Sequence, residues 1–220
     1  MTYLKIDFDD VVYKQGDWPS FSNDEWADEK FNLDLDFPNL PYYFDGDVRL
    51  TEALAILKYI SVKHQPSLLG KTPEDQGMVE MLAHVISEVT KQSGVPCYVG
   101  TQTKAEIGDD MLLKIKPIVA HLELQRSKFL VGDYLTYVDF MLFELCERVH
   151  FLTDGRLYEE APLLQKHNQE IVTLPPIVGY IAKNQEFKTR LFNNKIARIN
   201  NHPPVRVEYF EMNGRGDMLV

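Results

Sequence analysis

Cysteine is scarce in this chain. The 220 residues include two, Cys97 and Cys146, which form neither a CxxC pair nor a spacing typical of a metal site. Disulfide-stapled secreted domains and zinc-binding domains use cysteine much more heavily. The scarcity therefore indicates a reduced intracellular compartment, and we expect no bound metal.

Basic residues and long apolar runs are also lacking. Lysine and arginine number 23 against 33 acidic residues, for a net charge of −10. This charge argues against nucleic acid or an anionic membrane as a partner. No apolar run approaches the ~18 residues of a membrane span, and the first ten residues, "MTYLKIDFDD", resemble no cleavable leader. We expect a cytoplasmic protein; a place in an organellar (mitochondrial) assembly is compatible, since some import routes use no cleavable signal.

The first third of the chain has a mixed α/β pattern. Residues 5–14 are rich in β-branched and aromatic residues and predict a strand. A short helical turn capped by Ser22 or Asn23 follows, and "LPYYFDGDVRLT" predicts a hairpin around Asp45-Gly46. Apolar residues at helical spacing then predict a helix over 51–63.

The remainder of the chain has only helical patterns. A helix through Met78 and Val89 is expected to end or bend near Gly94 and Pro96, and a second covers about 104–127. Thr136 and Asp139 stand at capping-box spacing. Two further helices are predicted at Pro162–Val172 and Pro176–Asn184. The expected organisation is a small α/β domain over 1–64, an all-helical domain over 70–195 and an extra tail over 200–220.

Three segments carry a resemblance to a known family: "WADEKFNLDLDFPNLPYYFDGDVRLT", the helix "AIL-YI-KH" and "FLVGDYLTYVDFML". The chain resembles the cytosolic glutathione transferases, mu class in particular, from about residue 3 to about residue 190. The resemblance implies a thioredoxin-like domain followed by an all-helical domain. Met1 aligns inside the family pattern, so we expect a truncated first domain without its first strand and most of its first helix. The tyrosine that stabilises the glutathione thiolate belongs to that part, and Tyr3 does not replace it by position.

The resemblance also implies part of a glutathione site. Trp26 and Lys30 match the pair that receives the glycyl carboxylate, and both offer donors suited to an anion. Asn39 and Leu40 match the loop that holds the tripeptide backbone, and Pro41 matches a cis-proline. Structural alternatives are that Trp26 only packs, that Lys30 is a solvated charge, and that Pro41 is a trans proline in an ordinary turn.

Several residues depart from the family pattern. Glu52-Ala53 replaces a Gln-Ser pair that binds the γ-glutamyl carboxylate of glutathione in the family. The Glu52 side chain therefore places a negative charge where an anion should bind. Asn23 stands in place of an arginine. Glu88 replaces an aspartate that reaches across the dimer. Tyr98 matches a second tyrosine that acts as an acid toward some electrophiles, although a packed tyrosine at a helix end is an equal alternative.

Two features point to partners. Phe37 matches an aromatic residue that inserts into a second subunit, so we expect a homodimer or a heterodimer with another chain of this fold; burial in its own chain is the alternative. In the tail, "PPVRVEYFEM" alternates Val205, Val207 and Tyr209 with charged residues, a strand pattern at 204–212. We expect this tail to dock on its own domain or on other protein subunits; replacement of the missing first strand and a loose tail are the alternatives.

The departures favour one function over another. The favoured hypothesis is a catalytically degenerate protein of the glutathione-transferase fold, serving as a dimerisation or structural subunit of a larger assembly and binding no cofactor. The alternative is an active transferase that conjugates glutathione to electrophiles, with its N-terminus missing from this sequence. A third possibility, binding of apolar molecules without catalysis, is compatible with either.

Overall fold

A computed structural model describes residues 1–184, 191–192 and 195–200. Its strands are β1 (Tyr42–Asp45) and β2 (Val48–Thr51). Its helices are α1 (Asp24–Glu29), α2 (Ala53–His64), α3 (Pro73–Tyr98), α4 (Lys104–Lys114), α5 (Lys116–Gln125), α6 (Tyr137–Leu152), α7 (Arg156–Glu160), α8 (Pro162–Val172) and α9 (Pro175–Lys183). The tail strand expected at 204–212 lies outside the described residues.

The α/β part is a two-stranded antiparallel hairpin in front of α2. Tyr42 lies opposite Thr51 and Asp45 lies opposite Val48, so the two central turn residues are Gly46 and Asp47. Gly46 has a φ of 59°, which suits glycine at the first central position of a type II′ turn. The hairpin prediction is confirmed, with its turn centred one residue later than expected.

The prediction of a strand at residues 5–14 is wrong. In the described chain this segment pairs with neither hairpin strand, and Phe8, Val11 and Val12 are exposed. A strand is stable only when a neighbouring strand satisfies its backbone N–H and C=O groups. Local composition favoured a strand here, but the residues that the structure describes provide no partner strand for it.

The helical part is built around α3 and α6. Their facing side chains form the main core, and α4 and α8 pack against α6. Gly108 lets α4 approach closely, since a Cβ there would lie 2.6 Å from the carbonyl oxygen of Leu152. The buried face of α3 carries Val79, Leu82 and Ile86, while Met81 and Val85 are exposed.

Helix boundaries agree with the sequence in some places and differ in others. The predicted Pro162–Val172 helix is confirmed, and α6 begins directly after Thr136. α3 continues through Pro96 and ends at Tyr98. The single helix expected over 104–127 is two helices that meet at Ile115, because Pro117 has no N–H to continue the first. The short helix α7 was not predicted.

The last described segment connects the two parts of the chain. Lys195 Nζ donates to the carbonyl oxygen of Gln15 at 2.6 Å and pairs with Asp17 at 2.9 Å. Ile196 packs on Phe21, and Arg198 donates to the carbonyl oxygen of Pro96 at 2.6 Å. The observed architecture is thus a thioredoxin-like unit with a small sheet, held against an all-helical domain.

Candidate functional site

Trp26 is held at the hairpin by stacking. It lies on α1, and its ring stacks on Tyr42 with centroids 6.2 Å apart and planes inclined by 13°. Tyr42 is the first residue of β1, so Trp26 lies beside the start of the hairpin. Lys30, the residue after α1, is half-buried, and its Nζ lies 5.4 Å from the centre of the Phe31 ring.

A pair of tyrosine hydroxyl groups supports Trp26, and sequence reasoning missed it. Tyr13 meets Trp26 edge-on at 5.1 Å, and its hydroxyl oxygen lies 2.9 Å from that of Tyr42. Burial, followed by the hydrogen bond with Tyr42, raises the pKa of Tyr13, so its hydroxyl stays protonated. The three aromatic residues are far apart in sequence, and no spacing pattern connects them.

The loop before β1 has the backbone expected from the sequence. The Leu40–Pro41 peptide bond is cis, which confirms that prediction. The Leu40 N–H donates to Oδ1 of Asn39 at 2.9 Å, and the Leu40 side chain is exposed. Asn39 therefore satisfies the same N–H group that the resemblance assigns to a bound tripeptide.

Glu52 lies at the same end of the hairpin. Because Tyr42 is opposite Thr51, Pro41 and Glu52 are the next residues at that end. Glu52 is the N-cap of α2 and has a φ of 69°, in the left-handed region that a non-glycine residue rarely adopts. Its side chain makes no capping hydrogen bond. The first N–H groups of α2 thus lack a side-chain cap, as at helix N-termini that bind anions.

The other predicted site residues lie outside this group. Glu88 is exposed on α3 and accepts a hydrogen bond from Gln92 at 2.7 Å. Tyr98, the last residue of α3, meets Phe192 edge-on at 6.5 Å and packs on the core. Tyr3 lies against Phe140 of α6, with ring centroids 5.3 Å apart.

Two predicted residues remain, Asn23 and Phe37. Asn23 is the N-cap of α1, and its side chain makes no capping hydrogen bond. Phe37 is 78% exposed, so burial within its own chain, the alternative considered from the sequence, is wrong.

The remaining chemistry is sparse. Both cysteines are free and buried, and burial raises the pKa of the Cys97 thiol to about 12. Among the described residues, no cluster of histidine, cysteine or carboxylate side chains could hold a metal ion. None of the described helices has the length and apolar character of a membrane span.

Comparison with known proteins matches both parts of the chain to one family. The model of the glutathione S-transferase N-terminal domain matches residues 1–62, and that of the C-terminal domain matches residues 99–184. A glutathione S-transferase of Tyrophagus putrescentiae is 33% identical over 202 residues, which cover 91% of this chain and 88% of the relative. The chain belongs to the glutathione S-transferase family.

Further relatives of this chain include mu-class proteins. Glutathione S-transferase Mu 3 of Homo sapiens is 30% identical over 207 residues, 91% of this chain and 89% of the relative. The crystal structure of the glutathione S-transferase Blo t 8 superimposes with a TM-score of 0.77 at 30% identity, covering 90% of this chain and 91% of that one. The two-domain fold expected from the sequence is confirmed.

Proposed function

We propose that this chain is a glutathione transferase that binds glutathione at the start of the hairpin and transfers it to an electrophile. This is the alternative considered from the sequence. The observation that carries it is the convergence of Trp26, the cis Leu40–Pro41 bond and the uncapped N-terminus of α2 in one place. Similarity to glutathione S-transferases over 91% of the chain supports the same function.

In this proposal the site residues hold the two ends and the middle of the tripeptide. The Trp26 indole N–H and the Lys30 ammonium bind the glycyl carboxylate. The Leu40 backbone pairs with the cysteinyl residue after its N–H leaves Asn39. The N–H groups of α2 receive the γ-glutamyl carboxylate. The glutathione thiol loses its proton to water, and the resulting thiolate attacks the electrophile. A carbon–sulfur bond forms, and the leaving group departs with its electron pair.

The competing function is the degenerate structural subunit. Glu52-Ala53 favours it, because Ala53 has no hydroxyl and the Glu52 carboxylate repels a second carboxylate at the α2 N-terminus. The same Glu52 has a positive φ of 69°, and its side chain leaves the N-terminus of α2 uncapped. A site with intact backbone geometry and one unfavourable side chain predicts weakened glutathione binding rather than none.

The chain also offers a surface for a second copy. Phe37 is 78% exposed, and Met81 and Val85 on α3 are 51% and 38% exposed. Exposed apolar side chains of this size gain free energy when a partner buries them. We propose a dimer in which Phe37 inserts into the neighbouring subunit, and in which Glu88 approaches the partner's glutathione site.

The test uses the two tryptophans of the chain. Trp26→Phe keeps an aromatic ring but removes the indole N–H, so we expect about tenfold weaker glutathione binding or more. Trp18→Phe, at an exposed position, is the matched control and should bind as the wild type does. Retention on immobilised glutathione and conjugation of an aryl halide are measured for all three proteins. A wild-type chain that shows neither would support the structural-subunit function instead.

A further inference from the structure

The helical domain contains a cavity that the proposed function does not use. It has a volume of about 570 Å³ and lies among α6, α7, α8, α9 and Leu191. Among the described residues, none before Glu147 lines it, so it is separate from the hairpin site. Much of its wall is apolar and is formed by Phe151, Val172, Val178, Ile181, Ala182 and Leu191.

One carboxylate in this wall, that of Glu147, has no lysine or arginine partner among the residues that the structure describes. Glu147 is half-buried, and its Oε1 lies 3.4 Å from both the Tyr158 hydroxyl and Nδ2 of Asn168. These are long hydrogen bonds. In the described part of the chain, no lysine or arginine lines the cavity or pairs with Glu147, and the adjacent Arg148 pairs with Glu144. A partly buried carboxylate without a positive partner is electrostatically unfavourable, and a bound cation relieves this.

The groups around Glu147 are held in place. Asn168 is 4% exposed and donates to the Tyr158 hydroxyl at 2.7 Å, so its amide nitrogen faces both oxygen atoms. The His150 ring stacks on Tyr158 with centroids 4.4 Å apart and planes inclined by 25°. A cation therefore meets a preorganised acceptor rather than a mobile surface side chain, which lowers the cost of binding.

We propose that this cavity binds a primary amine with an apolar body. The ammonium group donates to the Glu147 carboxylate, and the apolar body lies along Phe151 and Ile181. The volume is within the range of about 300–1,000 Å³ typical of small-molecule sites. The net charge of −10 favours the approach of a cation. A neutral apolar ligand would leave the carboxylate unpaired, and an anion would be repelled.

The experiment compares two ligands that differ in one group, 4-phenylbutylamine and 4-phenylbutan-1-ol, by isothermal titration calorimetry. The wild-type chain should bind the amine more tightly than the alcohol. Glu147→Gln keeps the shape of the side chain and removes its charge, and should weaken amine binding about tenfold or more. Binding of the alcohol should not change. Glu159→Gln, on the exposed side of α7, is the matched control and should bind the amine as the wild type does.

A second variant tests whether the ligand binds inside the cavity or on the protein surface. Ala182→Trp occupies part of the volume and should weaken binding of both ligands, with an unchanged circular dichroism spectrum. The proposal is overturned if Glu147→Gln binds the amine as tightly as the wild type does, if the alcohol matches the amine, or if wild-type binding of the amine does not saturate. Glutathione conjugation by Glu147→Gln should equal that of the wild type, so failure here is distinguishable from failure at the hairpin site.

Discussion

At the scale of single residues, Glu52 and Ala53 combine a favourable backbone with an unfavourable charge. Glu52 has a positive φ of 69° at the N-cap of α2, and no side chain caps this helix N-terminus. The carboxylate stabilises the helix through its dipole by about 0.3–1 kcal/mol, yet it opposes any anion that binds there. In the proposed site, we therefore expect these two positions to affect how strongly glutathione binds.

Substitution of both Glu52 and Ala53 should strengthen glutathione binding. We expect Glu52→Gln combined with Ala53→Ser to raise glutathione affinity about tenfold, because a repulsive charge is removed and a hydroxyl donor is added. Glu74→Gln, in the exposed first turn of α3, makes the same charge change away from the site. Equal affinities of the wild type, the double variant and this control in calorimetry would contradict the assignment.

The carboxylate of Asp45 lies at the end of β1. Its Oδ2 accepts hydrogen bonds from the Lys63 ammonium and, at 3.0 Å, from the Tyr59 hydroxyl. The Lys63 hydrogen bond, followed by that of Tyr59, lowers the pKa of Asp45. Because the folded pKa lies below the unfolded one, the stability from this contact is present above the unfolded pKa. It is lost as the pH falls through the folded value.

Lys63→Met tests this contact. The pKa of Asp45, followed by carboxyl NMR chemical shifts, should rise toward its ordinary value in the variant. Lys71→Met changes the same charge beside Tyr134 and should leave Asp45 as in the wild type. An Asp45 pKa that is identical in the wild type and in Lys63→Met would show that the pair does not form in solution.

At the scale of elements, two of the described helices, α4 and α6, begin with capping boxes in different environments. Glu106 at the start of α4 is exposed and accepts from the N–H and hydroxyl of Thr103. Asp139 at the start of α6 is fully buried; its Oδ2 accepts from the same two groups of Thr136. Oδ1 of Asp139 also accepts from the N–H of Leu130 at 2.9 Å and from His167 at 3.0 Å.

This difference predicts unequal costs for matched amide substitutions. Asp139→Asn turns an N–H₂ group toward buried donors, so we expect a loss of about 3 kcal/mol or more in the free energy of unfolding. Glu106→Gln should cost much less, because water can replace the lost contact. Urea denaturation of both variants measures the difference. Similar losses would mean that the buried network around Asp139 contributes little.

Some features of the fold and of the candidate site could be predicted from the sequence, and others could not. The start of α6 follows from the Thr136–Asp139 spacing, and the hairpin follows from the turn residues between two short strand-forming segments. The strand expected at 5–14 failed because pairing depends on a distant neighbour that local composition does not specify. Trp26, Leu40 and Glu52 became site candidates only through resemblance to a family. Contacts such as Glu147 with Asn168 depend on helix packing and leave no local pattern.

At the scale of the whole molecule, the exposed apolar surface supports the proposed dimer. We expect the wild type to sediment as a dimer, and Phe37→Ser to weaken association about tenfold or more, since a large buried side chain is lost. Leu163→Ser, which removes an exposed apolar side chain from α8, should leave the dimer unchanged. A monomeric wild type at micromolar concentration would contradict this arrangement.

Glutathione binding beside Trp26 is tested most directly by fluorescence. Trp18→Phe leaves Trp26 as the one tryptophan of the chain, because the sequence has two. Titration of this variant with glutathione should change the emission of Trp26 and saturate, and S-methylglutathione should give the same response, because the sulfur lies away from the indole. Emission that stays constant as glutathione rises, together with no conjugation of an aryl halide, would contradict the proposed site.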